Sequence, residues 1–296
     1  MVCSLAFSPD GGRLASAGVD KLVRVWDVTT GQEVFPLQGH EDAVISVAFS
    51  PDGLRLASAS NDETVKLWEA GTGKEVRTLK KFRSGVRCVV FSPDGRRLAT
   101  TDVMETVRVW DADNDQELLS LRGHTAYVRM VTFSPDGKFI ATCSYDGTAR
   151  IWDAATGQEI RRFPHSSRVM SLAYSPNNEL LACGDGDHNV TVWEAATGKA
   201  VLSLPRPTDL PGHTNSVIAT AFSPDGLRLA SASWHEVIVW DAKTGEKIRT
   251  LRGLAGAIQS VVFSPDGKRL AAAGGYKSKG EIKIWDAALW DKTDKK

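Results

Sequence analysis

Gly39-His40-Glu41-Asp42-Ala43-Val44-Ile45-Ser46-Val47-Ala48-Phe49-Ser50-Pro51-Asp52-Gly53 leads from a polar pair, through a short apolar run, into a turn. Proline fixes φ and glycine tolerates positive φ, so Ser50-Pro51-Asp52-Gly53 reverses the chain. Leu56 to Ser60 then reads as a second strand, followed by a polar Asn61-Asp62-Glu63 loop. Thr64-Val65-Lys66-Leu67-Trp68 alternates its faces as a half-buried strand does. Thr72-Gly73-Lys74 turns again, and Glu75 to Leu79 form a fourth strand.

The unit recurs along the 296 residues. Ser-Pro-Asp-Gly begins at Ser8, Ser50, Ser92, Ser134, Ser223 and Ser264, with a degenerate Ser175-Pro176-Asn177-Asn178 between. The steps are 42, 42, 42, 41, 48 and 41 residues. Trp26, Trp68, Trp110, Trp152, Trp193, Trp240 and Trp285 keep the same phase, each followed by Asp or Glu. A single four-stranded sheet of this size buries too little apolar area to stand alone. Seven packed radially bury a continuous core, so a period near 42 predicts an all-β, seven-bladed propeller of four-stranded antiparallel blades. The chain reads as one domain, 1–296, with blades at about 2–37, 44–79, 86–121, 128–163, 169–204, 217–251 and 258–290.

Lys plus Arg and Asp plus Glu both total 36, so the net charge is zero. That balance predicts neither nucleic-acid nor anionic-membrane binding, which needs clustered positive charge. No apolar run reaches membrane-spanning length, and no signal peptide is recognised at Met1. Cys3, Cys88, Cys143 and Cys183 sit in apolar runs without metal-ligand spacing. They read as small buried hydrophobes of a reducing compartment, which predicts a cytoplasmic protein without metal or cofactor.

Gly39-His40, the Ser-Pro-Asp-Gly turn, Asp62 and Trp68-Glu69 resemble a WD40 repeat, and copies this regular resemble those of bacterial WD-repeat proteins. The resemblance implies a hydrogen-bonded tetrad within a blade: His40, Ser58, Asp62 and Trp68 in blade 2, and His124, Thr142, Asp146 and Trp152 in blade 4. Blade 1 keeps Ser16, Asp20 and Trp26, but its His position precedes Met1. Blade 5 keeps His165, Asp187 and Trp193, with Cys183 in the hydroxyl position. Blade 6 keeps His213, Ser231 and Trp240 but has lost the Asp. Blade 3 has Phe82 and Met104 where His and Asp belong, as if both polar partners were replaced together. Blade 7 has Leu254 and Ala272 and no Asp. A His beside Ser and Asp also suggests a catalytic triad, but an active site occurs once and this set recurs. The tetrads read as structural.

The resemblance also implies where partners bind: on the face opposite the repeated turns, beside the start of each first strand and before the tetrad Asp. Those positions give Ala43, Ile45 and Asn61 in blade 2, Gly85, Arg87 and Val103 in blade 3, and Tyr127, Arg129 and Tyr145 in blade 4. They give Arg168, Met170 and Gly186 in blade 5, Ser216, Ile218 and Trp234 in blade 6, and Ala257 and Gln259 in blade 7, with Val19 in blade 1. Aromatic, Arg and Met side chains are enriched at binding hot spots, so the arc over blades 3 to 5 is the favoured contact. Its three Arg suit an acidic or phosphorylated peptide. The bland alternative is an ordinary rim, because scattered exposed aromatics are normal. Two irregular segments lie on the same face: Pro205 to Pro211, and a longer Gly274-to-Gly280 loop with Tyr276, Lys277 and Lys279. Gly274-Gly275 with Lys nearby does not make a phosphate loop.

Val2 to Phe7 is already a first strand, so the count gives seven copies of strands one to three and six of strand four. Blade 7 is expected to lack its outer strand, leaving Glu281 to Trp285 as an open edge. In the resembled family a segment from the N-terminus commonly fills that place, so the chain reads as a fragment, as one whose edge recruits a partner or a second copy, or as a monomer that tolerates a three-stranded blade. The expected function is a protein-interaction module or scaffold. The alternatives are a regulatory or sensor domain of a larger signalling protein, and an enzyme using the central channel, which the small hydroxyls Ser46, Ser171 and Ser260 disfavour.

Overall fold

The computed structural model describes residues 1–80, 82–204, 215–276, 279–288 and 290. Among them there are no helices. Twenty-seven strands form seven antiparallel sheets, six of four strands and one of three, arranged as a ring. Blade 2 is typical: Val44–Phe49, Arg55–Ser60, Val65–Glu69 and Glu75–Leu79, paired in chain order. Blade 6 opens late, at Ala219–Phe222. The segment 205–214, including His213 and the proline-rich insertion, lies outside the described residues.

The Ser-Pro-Asp-Gly turn closes by the same bonds in each copy. In blade 2, Ser50 Oγ donates to Asp52 at 2.5 Å and accepts the Arg55 amide at 2.9 Å, while Gly53 takes φ 72°. The Ser50 hydroxyl, then the Leu54 amide, hold the Asp52 carboxyl below its ordinary pKa.

Cores form between blades rather than within them. Leu37 ends the outer strand of blade 1 and is buried against Leu56, Trp68 and Val47 of blade 2. Arginines of the second strands tie neighbours together on the turn face. Arg97 donates to the Ala154 carbonyl at 2.6 Å and lies over Phe133; Arg228 donates to the Ala287 carbonyl at 2.8 Å and lies over Phe263.

Blade 7 has three strands: Ala257–Phe263, Arg269–Tyr276 and Lys279–Asp286. The glycine-rich stretch expected as a long loop is instead mostly ladder. Gly274 pairs with Glu281, Gly275 with Gly280 and Tyr276 with Lys279. Glycine permits this because Gly275 adopts φ 149° and a Cβ there would meet the Lys279 carbonyl. Lys277 lies outside the described residues.

Candidate protein-interaction site

In blade 2, His40 Nε2 meets Ser58 Oγ at 2.7 Å, Nδ1 meets Asp62 at 2.8 Å, and Trp68 Nε1 donates to Ser58 at 2.8 Å. Blade 4 repeats this with His124, Thr142, Asp146 and Trp152 at 2.7 to 2.9 Å. Burial holds both histidines below their ordinary pKa, against the pull of their Asp partners. Burial alone would raise Asp146, but bonds from the Thr148 hydroxyl and His124 outweigh it and lower the carboxyl to about 2.

Blades 3 and 5 depart from the positional reading. Phe82 takes the histidine's place, edge-on to Trp110 at 5.4 Å. Met104 is 51% exposed and fills no tetrad position; the buried acid is Asp102, paired with Arg108 at 3.1 Å. In blade 5, Asp185 faces His165 Nδ1 at 3.7 Å, whereas Asp187 accepts from Ser166. Both buried acids occupy the site of Ser60, two residues before Asp62. That site lies at the inner end of the second strand, where a carboxylate can cap the following loop: Asp102 accepts the Met104 amide and Asp185 the Asp187 amide.

The face opposite the repeated turns is built by a recurring bulge. In blades 1, 2, 3, 4, 5 and 7 the first strand slips register by one residue, leaving Cys3, Ile45, Arg87, Arg129, Met170 and Gln259 opposite nothing. A bulge re-aims its extra side chain. Ile45, Arg87, Arg129 and Gln259 thereby line the central cavity of about 600 Å³, together with Tyr127 and Ile218. Arg87 and Arg129 are its charged lining side chains, and no carboxylate lines it among the described residues. The bulges were not foreseen from the sequence, where no glycine marks the bulged residue.

Tyr127 and Tyr145 meet edge to face at 4.9 Å, and Arg168 lies over Tyr145 at 5.4 Å. Burial pushes the Tyr127 phenol up to about 12, so it stays neutral. Arg129 Nε donates to the Met170 carbonyl at 2.6 Å, which fixes its position between blades 4 and 5. Arg87 Nε is buried without a hydrogen-bond partner among the described residues. The expected contacts therefore divide. Ile45, Arg87, Tyr127, Arg129 and Ile218 share the cavity, with Ile218 already buried, and Tyr145, Arg168 and Met170 adjoin it. Asn61, Trp234 and Tyr276 lie outside its lining, the last two as exposed side chains.

Deeper in the channel, the small polar groups stitch blades together. Ser4 accepts the Val47 amide, Ser46 the Val89 amide and Ser260 the Leu5 amide, at 3.1 to 3.3 Å. Ser171 donates to the Val217 carbonyl at 3.3 Å.

These features define a β-propeller with a bulge-built face around a central channel. The family model described as "WD domain, G-beta repeat" matches residues 1–27, 31–69, 73–111, 115–153, 157–194, 205–241 and 245–286, and the chain belongs to this WD40 family. Among curated proteins, 41 residues are 51% identical to a probable serine/threonine-protein kinase PkwA of Thermomonospora curvata. A stretch of the same length is 46% identical to the general transcriptional corepressor TUP1 of Saccharomyces cerevisiae. Each match covers 14% of this chain and 6% of the relative. No helix of the described residues is long and apolar enough to cross a membrane.

Proposed function

We propose that this propeller is a non-catalytic, cytoplasmic interaction module that binds an acidic segment of a partner protein at the channel mouth of blades 3 to 5. The supporting observation is the pair of bulged arginines, Arg87 and Arg129, in a cavity without a lining carboxylate. Arg129 is held in place by its backbone bond, so little side-chain entropy is lost when it meets an anion. Tyr127, Tyr145 and Arg168 extend the contact outward with rigid aromatic area. The hydroxyls inside the channel are engaged in holding blades together, which favours binding over catalysis there.

A regulatory role within a larger signalling protein is a second reading. It draws on the similarity to short stretches of much longer relatives, one of them a probable kinase. The open edge of blade 7 is a separate contact, for a copy of the chain or for another strand.

Selection from a random peptide library against the whole chain tests the reading. The expected result is enrichment of sequences with Asp, Glu or phosphorylated residues on the wild type and loss of that enrichment on Arg87→Glu/Arg168→Glu. Enrichment of basic or purely apolar peptides, or equal enrichment on both proteins, would overturn it.

A further inference from the structure

We propose that the central channel binds a small phosphate monoester with a hydroxylated body, its phosphate between Arg87 and Arg129 and its body below them against blades 5 and 6. The inference rests on the channel-mouth reading for the two arginines and adds a second, smaller ligand at the same site.

The first strands line the channel, so each position along them recurs once per blade. At the bulge position only blades 3 and 4 carry a cation, Arg87 and Arg129. Two residues further along, in the place of Val47, blade 6 carries Thr220, and every other blade has valine or leucine. Two residues beyond that, in the place of Phe49, blade 5 carries Tyr174, and every other blade has phenylalanine. These departures fall on four consecutive blades, and all four residues line the same cavity of about 600 Å³. Small-molecule pockets occupy roughly 300–1,000 Å³.

The departures leave polar atoms to be satisfied. Arg87 Nε, Thr220 Oγ1 and Tyr174 Oη are buried without a partner among the described residues, and Thr220 is only 7% exposed. Ser46 and Ser171 tie their blades to the next, whereas these two hydroxyls tie nothing. A buried hydroxyl without a partner destabilises the fold, and the valine and phenylalanine of the sister blades would avoid that cost. Both hydroxyls are therefore placed to bond a ligand in the channel.

Backbone donors adjoin them. Ser260 accepts the inward amide of Leu5, Ser4 that of Val47 and Ser46 that of Val89. Ahead of blades 5 and 7 the equivalent serine is replaced by Met130 and Ala219. The matching amides of Leu172 and Val261 thus have no hydroxyl acceptor from that place.

Charge and length select the ligand. Two guanidiniums face a cavity that no carboxylate lines among the described residues, and Tyr127 lies within electrostatic reach of both. A phosphate monoester carries about −1.5 to −2 charges at pH 7, with three acceptor oxygens. It matches two cations where a carboxylate matches one. An Asp or Glu side chain also ends at its carboxylate, so it leaves the channel below the arginines unused. Strand rise places Thr220 about 7 Å below the bulge position and Tyr174 about 13 Å below it. A body of sugar to nucleoside length covers that distance.

Calorimetric titration of the whole chain tests this with glycerol 3-phosphate, ribose 5-phosphate, glucose 6-phosphate and adenosine 5′-monophosphate, against inorganic phosphate and glucose. The expected result is that at least one ester binds at least tenfold more tightly than inorganic phosphate and that glucose does not bind. Which ester leads distinguishes a sugar phosphate from a nucleotide. Arg87→Gln should weaken both that ester and inorganic phosphate at least tenfold. Thr220→Val/Tyr174→Phe should weaken the ester at least tenfold and leave inorganic phosphate and an acidic peptide unchanged. Its melting temperature should equal or exceed that of the wild type, because the sister blades carry those side chains. No ester tighter than inorganic phosphate, or an ester indifferent to the double variant, overturns the proposal. If an acidic peptide then still binds and responds to Arg87→Glu/Arg168→Glu, only this inference falls; failure of both ligands takes the channel-mouth reading with it.

Discussion

Tyr127 and Tyr145 stand edge to face, ring centroids 4.9 Å apart and planes at 88°, where blade 4 meets the channel mouth. The Tyr145 amide donates to the Tyr127 carbonyl at 2.9 Å, so backbone and rings lock together. Edge-to-face pairs contribute about 0.5–1.5 kcal/mol beyond burial. Tyr145→Ala should lower unfolding free energy by about 1 kcal/mol and also weaken partner binding. A double-mutant cycle with Tyr127→Ala, read by urea unfolding, should return a coupling of that size; strictly additive effects would show that the rings do not cooperate.

Asp62 and Asp20 hold equivalent positions but carry different structural demands. Asp62 accepts from His40, the Glu41 amide, the Thr64 amide and the Thr64 hydroxyl. Asp62→Ala leaves buried donors unpaired and should cost about 2–3 kcal/mol. Asp20 is half exposed and pairs with Arg24 at 2.6 Å. Asp20→Ala should cost less than about 1 kcal/mol, the usual range for an exposed ion pair. Equilibrium denaturation of both variants checks the contrast, and equal losses would contradict it.

Acid should destabilise the fold in two stages. Burial depresses His40 and His124, so the unfolded chain takes up protons that the folded chain refuses. Their contribution is present above the ordinary histidine pKa of about 6.5 and is lost as pH falls below it. Asp146, lowered to about 2, contributes above its ordinary carboxyl range and loses that contribution as pH falls toward 2. Melting temperature should therefore fall between pH 7 and pH 5 and fall again below pH 4. Replacing His40 and His124 with Leu should flatten the first stage.

Cys88, Cys143 and Cys183 are free and buried, and burial raises all three thiols. The thiolate is the reactive form. Iodoacetamide on the native protein should leave these three unmodified, as counted by intact mass, and label them only after denaturation. Rapid native labelling of Cys143 would mean that blade 4 opens far more readily than its packing indicates.

The ring, its seven blades and the three-stranded last blade follow from the spacing of Ser-Pro-Asp-Gly and Trp, because those residues fix turns and inter-blade contacts directly. The bonded sets of blades 2 and 4 are those that the resemblance to a WD40 repeat implies. Blades 3 and 5 do not, because Asp102 and Asp185 place their carboxylates two residues earlier, a shift that positional matching cannot detect. The glycines of 274–280 suggested a loop; in the structure they let the hairpin lengthen. At the channel mouth, the residue types at Arg87, Tyr127 and Arg129 were legible. What gathers Arg87 and Arg129 into the channel was not, since a one-residue bulge is a property of two strands together.

The most direct test of the channel-mouth account is the affinity of the whole chain for one acidic peptide from the selection and for its Asp/Glu-to-Lys counterpart, measured by calorimetry at low and high salt. The account predicts that the acidic peptide binds at least tenfold more tightly, that salt weakens it, and that Arg87→Glu/Arg168→Glu reverses the preference. Equal affinity for the two peptides, or a preference untouched by the charge reversal, would contradict it.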